Sequence, residues 1–394
     1  MPLVVYILGL TIFSLTTSEF MVAGMMPSLA AAFDISLEQV GSLISMYAFG
    51  MVVGGPLLTA GLLKLRVPNK SALLWLLALY AAAQSIAAST DSYTIMTLAR
   101  IVTGVAASAC IGTSLSICAE VVAVEARGRA ASIVLGGLML AAALGVPIAT
   151  LIDQNVGWRA SFWLVVALTA LCAVAISIRV PLSKSSAPIG LRRELAEFKN
   201  GHLWAAYATS AFIIGATFAA FSYFTPILTE VTGFSITAIP WLLGMYGVAN
   251  IVGNAVVGRY ADKHTYSVMV CGLLLLIAAL VAFSLLAQSA TASIMMVILI
   301  GLVGVTMNPA MVARVMRTAR PGTLVNTVHA SVINIGLGMG VWLGGLGISA
   351  GYGLLSPLWV GTLLAVLGLL SLLPYLARRG SDSQTSQSAL GKQA

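Results

Sequence analysis

Glu19 and Arg100 are charged residues inside long apolar stretches of this chain, and this pair can do proton chemistry. A charged side chain at the centre of a lipid bilayer costs about 2.5–3.5 kcal/mol on insertion scales, so such residues face a partner or a water-filled cavity. A carboxylate in an apolar cavity resists ionisation, and a guanidinium beside it opposes that resistance. Together they make a group able to bind and release a proton.

The elements that hold the pair follow from composition. Of the 394 residues, 59% are hydrophobic and 8% charged, against about 25% charged in a soluble domain. Mean hydropathy is +1.01. The 38 glycines suit close helix packing in lipid. A spanning helix needs about 20 apolar residues. Twelve stretches qualify: 4–31, 38–63, 71–89, 93–119, 130–152, 160–180, 203–228, 237–258, 267–288, 292–313, 323–349 and 354–377. The runs are continuous rather than alternating, which excludes a β-barrel. The expected fold is therefore an all-α membrane protein with twelve transmembrane helices. The first stretch is too long for the core of a cleavable signal.

Loop charge predicts orientation. Of 20 Lys and Arg, all but Arg100 and Arg159 fall at the N-terminal side, in the even-numbered loops or in the tail. By the positive-inside rule both termini are expected in the cytoplasm. The net charge of +8 then reflects topology and contact with anionic membrane lipid, and nucleic acid is not an expected partner. Cys110, Cys118, Cys172 and Cys271 match no metal or disulfide spacing and read as packing residues. Asp153 and Arg159 share one odd-numbered loop, where a local ion pair is expected.

The chain reads twice. Ile35-Ser36, Met46-Tyr47 and Gly54 recur as Phe234-Ser235, Met245-Tyr246 and Gly253. Pro27 recurs as Pro226, Ala131-Ser132 as Ala330-Ser331, and Leu144-Gly145 as Leu343-Gly344, all at an offset of 199. Two six-helix bundles are expected, 1–180 and 203–377, as parallel repeats related by an axis along the membrane normal. Residues 181–202 read as a cytoplasmic linker carrying a short amphipathic helix (Leu191, Leu195, Phe198), and 378–394 as a disordered tail.

This arrangement resembles the major facilitator superfamily. Gly258-Arg-Tyr-Ala-Asp262-Lys263 is similar to the family's G-x-x-x-D-[RK] loop. Its counterpart, Gly61-Leu-Leu-Lys-Leu65-Arg66, departs from it with Leu65 at the acidic position. Arg100-Ile-Val-Thr-Gly104 resembles the core of the family's fourth-helix motif, and Gly145-Val-Pro147 resembles its antiporter motif with one residue inserted. Thr17-Ser-Glu19-Phe-Met21, Gly24 and Pro27 look like the first helix of the bacterial drug:proton antiporter-1 family. Gly215-Ala-Thr-Phe218, Tyr223, Pro226 and Arg192-Arg-Glu-Leu195 look like its chloramphenicol-exporting branch.

The resemblance implies a central cavity lined by helices 1 and 4. Glu19 and Arg100 lie roughly 18 Å and 10 Å from the outer ends of those helices at 1.5 Å per residue, overlapping depths. Glu19 is expected to carry the proton, with Arg100 tuning it or binding substrate. Phe20, Tyr47, Phe218 and Phe221, with Asn250 and Asn334, are expected to line the substrate cavity, Tyr47 offering its hydroxyl. Gly61, Arg66, Gly104, Gly145, Pro147, Gly258, Asp262 and Lys263 are expected to serve conformational change.

The implied activity is proton-coupled export of small amphipathic compounds, chloramphenicol-like drugs included. Purines, nucleosides or sugars are the alternative substrates. The expected partners are protons, a small molecule and membrane lipid. A bacterial inner membrane and a monomer are expected, with no cofactor or metal. An ATP-binding G-x-x-x-x-G-K-[ST] motif is absent, as is an enzyme's nucleophile–base constellation. His329, near an end of helix 11, is a weaker proton-relay candidate.

Overall fold

The computed structural model describes residues 1–65, 67–123, 126–181, 197–319 and 323–375. Twelve helices there are long and apolar enough to cross a membrane: Leu3–Gly24, Leu37–Leu58, Asn69–Ser89, Tyr93–Val121, Arg129–Val156, Trp158–Arg179, Gly201–Phe221, Ile236–Ala261, Lys263–Leu286, Ala290–Thr318, Val325–Tyr352 and Ser356–Tyr375. They are called spans 1 to 12 below. Arg66, residues 182–196 of the linker and the tail from 376 lie outside the described residues.

Packing repeats with the sequence. Span 1 lies on span 5, span 2 on span 4, and span 3 on span 6. In the second half span 7 lies on span 11, span 8 on span 10, and span 9 on span 12. Each pair of the first set becomes one of the second by adding six. Between halves, span 2 meets span 11 and span 5 meets span 8, and the same operation exchanges these two seams. Two similar six-helix bundles related by a two-fold axis account for every one of these pairs.

Prolines set the irregularities. Span 1 breaks at Met25 (φ −106°, ψ 15°), where a single helix over 4–31 is expected from hydropathy. The reason is Pro27, which has no N–H to return to the Ala23 carbonyl. Span 7 turns likewise at Tyr223 (φ −107°, ψ 11°), before Pro226. Span 5 carries a π-helical turn at Ala141–Gly145, directly before Pro147. Spans 8 and 9 differ from expectation in the opposite sense. Residues 258–263, expected as a loop, are helical, and spans 8 and 9 are two helices that meet at a break at His264 (φ −125°, ψ 36°). No proline falls between 241 and 286 to remove a helical N–H.

The halves touch toward the end that bears the odd-numbered loops. Three described hydrogen bonds cross between them: Thr225 Oγ1 to the Ala23 carbonyl (2.8 Å), Gln154 Nε2 to the Ile236 carbonyl (2.7 Å) and Ser45 Oγ to the Gly338 carbonyl (2.9 Å). The first acceptor is a carbonyl that proline leaves free, since Pro27 is four residues after Ala23; the Ile236 carbonyl also accepts from the Ile239 N–H. A carbonyl without its helical partner needs another donor when buried, and here the donor comes from the other half.

Candidate functional site

Arg100 is fully buried, and its partners are not carboxylates. Nη1 donates to the Ser18 carbonyl (2.9 Å) and Ser18 Oγ (3.2 Å), Nη2 to the Glu19 carbonyl (3.2 Å), and Nε to the Leu43 carbonyl (3.4 Å). Its Cζ stands 4.4 Å from the centroid of the Tyr47 ring. A guanidinium's planar fork suits several acceptors at once, and an aromatic face adds a cation–π contact. Span 4 is thereby tied to spans 1 and 2. Gly104, one turn along the same face, has the Tyr47 carbonyl where a Cβ would stand. The Arg100-x-x-x-Gly104 spacing thus sets a charge over the ring of Tyr47 and a bare backbone against its peptide.

The Tyr47 hydroxyl departs from expectation. It donates to the Leu15 carbonyl at 3.2 Å, and the residue is fully buried. A phenol with Arg100 on its face and a carbonyl at its tip braces spans 1 and 2 and does not reach a cavity. Tyr80 and Gln84 complete this polar knot. Tyr80 approaches the same carbonyl at 3.5 Å, and Ser18 Oγ donates to Gln84 Oε1 at 3.1 Å. Residue type alone marks neither for this place, although a glutamine within an apolar span signals an interhelical bond.

Glu19 is 5% exposed. Its carboxylate makes no described hydrogen bond or ion pair, although Arg100 acts on it electrostatically. The expected side-chain pair is therefore proximity without a salt bridge, because backbone carbonyls of the same helix occupy the guanidinium.

The next residue crosses between the halves. The Phe20 ring lies 5.2 Å from Phe218 and 6.2 Å from Phe221. Phe218 and Phe221, three residues apart, meet edge to face at 5.7 Å. Phe221 stacks on Tyr246 at 4.7 Å, and Phe224 touches Phe221, Tyr246 and Phe283. Tyr246, Phe224 and Phe283 extend the aromatic group beyond the expected residues. The offset-199 repeat of Tyr47 is the signal for Tyr246.

The remaining candidates scatter. Asn250 Nδ2 donates to the Tyr246 carbonyl of its own helix (3.0 Å) and its amide oxygen is buried without a partner. Asn334 donates to Ala330 of its own helix (3.0 Å). Gly145 backs onto Thr17 of span 1, and Pro147 opens the helix after the π turn. Gly61 and Gly258 face open space, and Lys263 is exposed. Arg66 and the Asp262 side chain fall outside what is described. His329 is buried between spans 7 and 11, with Nε2 2.9 Å from Ser210 Oγ and its ring stacked on Tyr207.

Other details differ from expectation. Asp153 and Arg159 do not pair. Arg159 binds Asp91 and the Thr90 carbonyl of the neighbouring loop and covers the Trp158 ring, while Asp153 takes the Ser28 hydroxyl at 2.7 Å. Helix 5 runs to Val156 and Gly157 turns the chain with φ 103°, which separates the two side chains. Cys271 is exposed, whereas Cys110, Cys118 and Cys172 pack inside. It lines an apolar groove of about 580 Å³ on the flank of spans 8 to 10, with Val256, Tyr260 and Met307, away from Glu19 and the aromatic group.

Twelve spans form two repeated bundles, with a buried polar knot inside the first half and an aromatic group that Phe20 joins across the halves, in a polytopic membrane protein. Residues 8–340 match the Major Facilitator Superfamily, and the chain belongs to it. It is 30% identical to the "Chloramphenicol resistance protein" of Streptomyces lividans, covering 95% of this chain and 96% of that one. It is 31% identical to the "Inner membrane transport protein YdhP" of Escherichia coli (strain K12), over 92% and 93% of the two chains. The fold matches a crystal structure of a bacterial homologue of the human lysosomal transporter Spinster, in an inward-facing and occupied conformation. That match has a TM-score of 0.70 at 17% identity, over 95% and 96% of the chains. The protein is a multi-pass transporter of small molecules, and its relatives are bacterial membrane carriers.

Proposed function

We propose that this protein exports small amphipathic compounds from bacterial cells in exchange for protons, by alternating access, with chloramphenicol-like drugs among its substrates. The observation that carries the reading is the adjacency of Glu19 and Phe20. Glu19 is a buried carboxylate with no salt bridge among the described residues, and Phe20 is the ring that meets Phe218 and Phe221 of the other half. A proton on Glu19 and a flat substrate between the rings would act on one turn of helix 1. Anything that binds one state better than the other shifts the balance between them.

Aromatic rings accept flat apolar molecules with little demand for hydrogen bonds. Asn250 and Asn334, which polar metabolites would use, bond within their own helices. That favours drugs over purines, nucleosides or sugars. In this reading both termini are cytoplasmic and the odd-numbered loops are outside. Residues 1–180 and 203–377 rock as two bodies of one monomer, and the hydrogen bonds at the odd-loop end hold the outside closed.

The test is chloramphenicol accumulation in energised cells expressing wild type or Glu19→Gln, with and without an uncoupler. The expected result is lowered accumulation with wild type, lost with uncoupler and lost with Glu19→Gln at equal expression. Uphill export by Glu19→Gln would remove Glu19 from the coupling role.

A further inference from the structure

A second carboxylate is buried in the membrane part of the chain, and the coupling mechanism above does not use it. Asp153 is 7% exposed, in the last turns of the helix Val146–Val156. One oxygen accepts from Ser28 Oγ at 2.7 Å, and the other is buried without a hydrogen-bond partner. The negative end of a helix dipole is the unfavourable end for an anion. Nor do the neighbours bring it a cation. The helix Met26–Phe33, which carries Ser28, has no ionisable residue. Span 1 brings only Tyr6 and Glu19, both well below Asp153. Span 6 brings Arg159, held by Asp91 and the Thr90 carbonyl, and Arg179 at its far end. Span 8 has Tyr246 alone before Arg259. A buried carboxylate with one hydroxyl donor and no cation is costly to keep charged.

Its position ties it to the seam between halves. The next residue, Gln154, donates across to the Ile236 carbonyl. Ser28 follows Pro27, whose missing N–H frees the Ala23 carbonyl for Thr225. The Asp153–Ser28 bond therefore joins the two first-half segments that each hold one bond to the second half. Parting the halves at this end breaks both of the bonds that flank the carboxylate.

We propose that Asp153 is a second proton-binding residue of the transport cycle, one that holds its proton while the outer side is closed and gives it up when that side opens. Glu19 would couple the proton to substrate, whereas Asp153 couples it to the outer closure. The proposal rests on the proton-exchange reading above. Its sign follows from linkage: if the closed state binds the proton more tightly, acid favours closure and alkali favours opening.

The test reads distance, not transport. Spin labels go on Ala32→Cys and Thr237→Cys, both exposed at this end, in a Cys271→Ser background. The purified protein is then followed by double electron–electron resonance across a pH series. Wild type is expected to shift toward longer distances as pH rises. Asp153→Asn, which keeps an oxygen for Ser28, is expected to stay short throughout. Asp153→Glu should retain the response, and so should Glu19→Gln. If Asp153→Asn opens with the wild-type midpoint, or wild type does not respond to pH, the proposal is overturned. The same holds if the response is lost with Glu19→Gln and kept with Asp153→Asn. The drug-accumulation result does not enter these distances, so the two readings fail separately.

Discussion

The two halves share a backbone plan and fill it with opposite chemistry. At the offset of 199, Ser18, Glu19, Tyr47 and Gln84 of the first half stand where Thr217, Phe218, Tyr246 and Phe283 stand in the second. Gly104 has the Tyr47 carbonyl where a Cβ would stand, and Gly301 likewise has the Tyr246 carbonyl. These two glycines are 197 apart, so in this helix Arg100 corresponds to Val297. A knot of buried hydrogen bonds in one half is thus a cluster of rings in the other. Tyr47 lies under a guanidinium, and its mate Tyr246 lies under Phe221. Each solution is self-consistent: the polar one supplies acceptors for Arg100, and the aromatic one contains no charge to satisfy. At this depth the first half buries a guanidinium where the second buries rings.

The sharpest way to break this comparison is to move the charge. Val297→Arg would place a guanidinium among buried apolar groups without the carbonyls that serve Arg100. An uncompensated buried charge costs about 3–5 kcal/mol, so little folded protein is expected by size-exclusion chromatography after detergent extraction. Next in size is Arg100→Ala, which removes the buried charge together with its four hydrogen bonds and leaves buried acceptors unpaired, a net loss of about 1–3 kcal/mol. A lower midpoint of thermal unfolding and loss of export are expected. Arg100→Lys should recover part of the stability, because one ammonium cannot reach all of these acceptors.

On the aromatic side, Phe221→Leu keeps apolar volume and removes the ring shared by Phe20, Phe218, Phe224 and Tyr246. Aromatic pairs are worth about 0.5–1.5 kcal/mol, so up to about tenfold weaker substrate binding is expected, read as a raised KM for drug transport in proteoliposomes. An unchanged KM would separate the ring cluster from the substrate. The smallest effect concerns the seam. Gln154→Ala removes the cross-seam donor to the Ile236 carbonyl, which keeps only the Ile239 N–H. A single hydrogen bond of about 1 kcal/mol shifts the balance between closed and open outer states about fivefold. Cysteine accessibility at Leu243→Cys, buried against Gly24 of the other half, should register this as faster labelling.

Much of this architecture is legible in the chain. The twelve spans and the repeat are local or periodic properties, and they survive in the structure. Glu19, Phe20, Phe218 and Phe221 stand out because a charge within a span and rings three residues apart are visible without coordinates. Less was visible where partners come from afar. Tyr47 reads as a residue with a free hydroxyl until the Leu15 carbonyl is placed at its tip. Asp153 and Arg159 read as a pair until a helix end and a turn separate them.

Apolar length and repeat spacing are written along the chain, and they specify twelve membrane-spanning helices in two similar halves. What Arg100 holds depends on packing. Its acceptors lie 57, 81 and 82 residues away, and carbonyls are the same at every position of a sequence. Burial likewise decides what Asp153 can do: its carboxylate loses water only when it packs beside Ser28, 125 residues away, and that burial belongs to the packed molecule rather than to any segment of it.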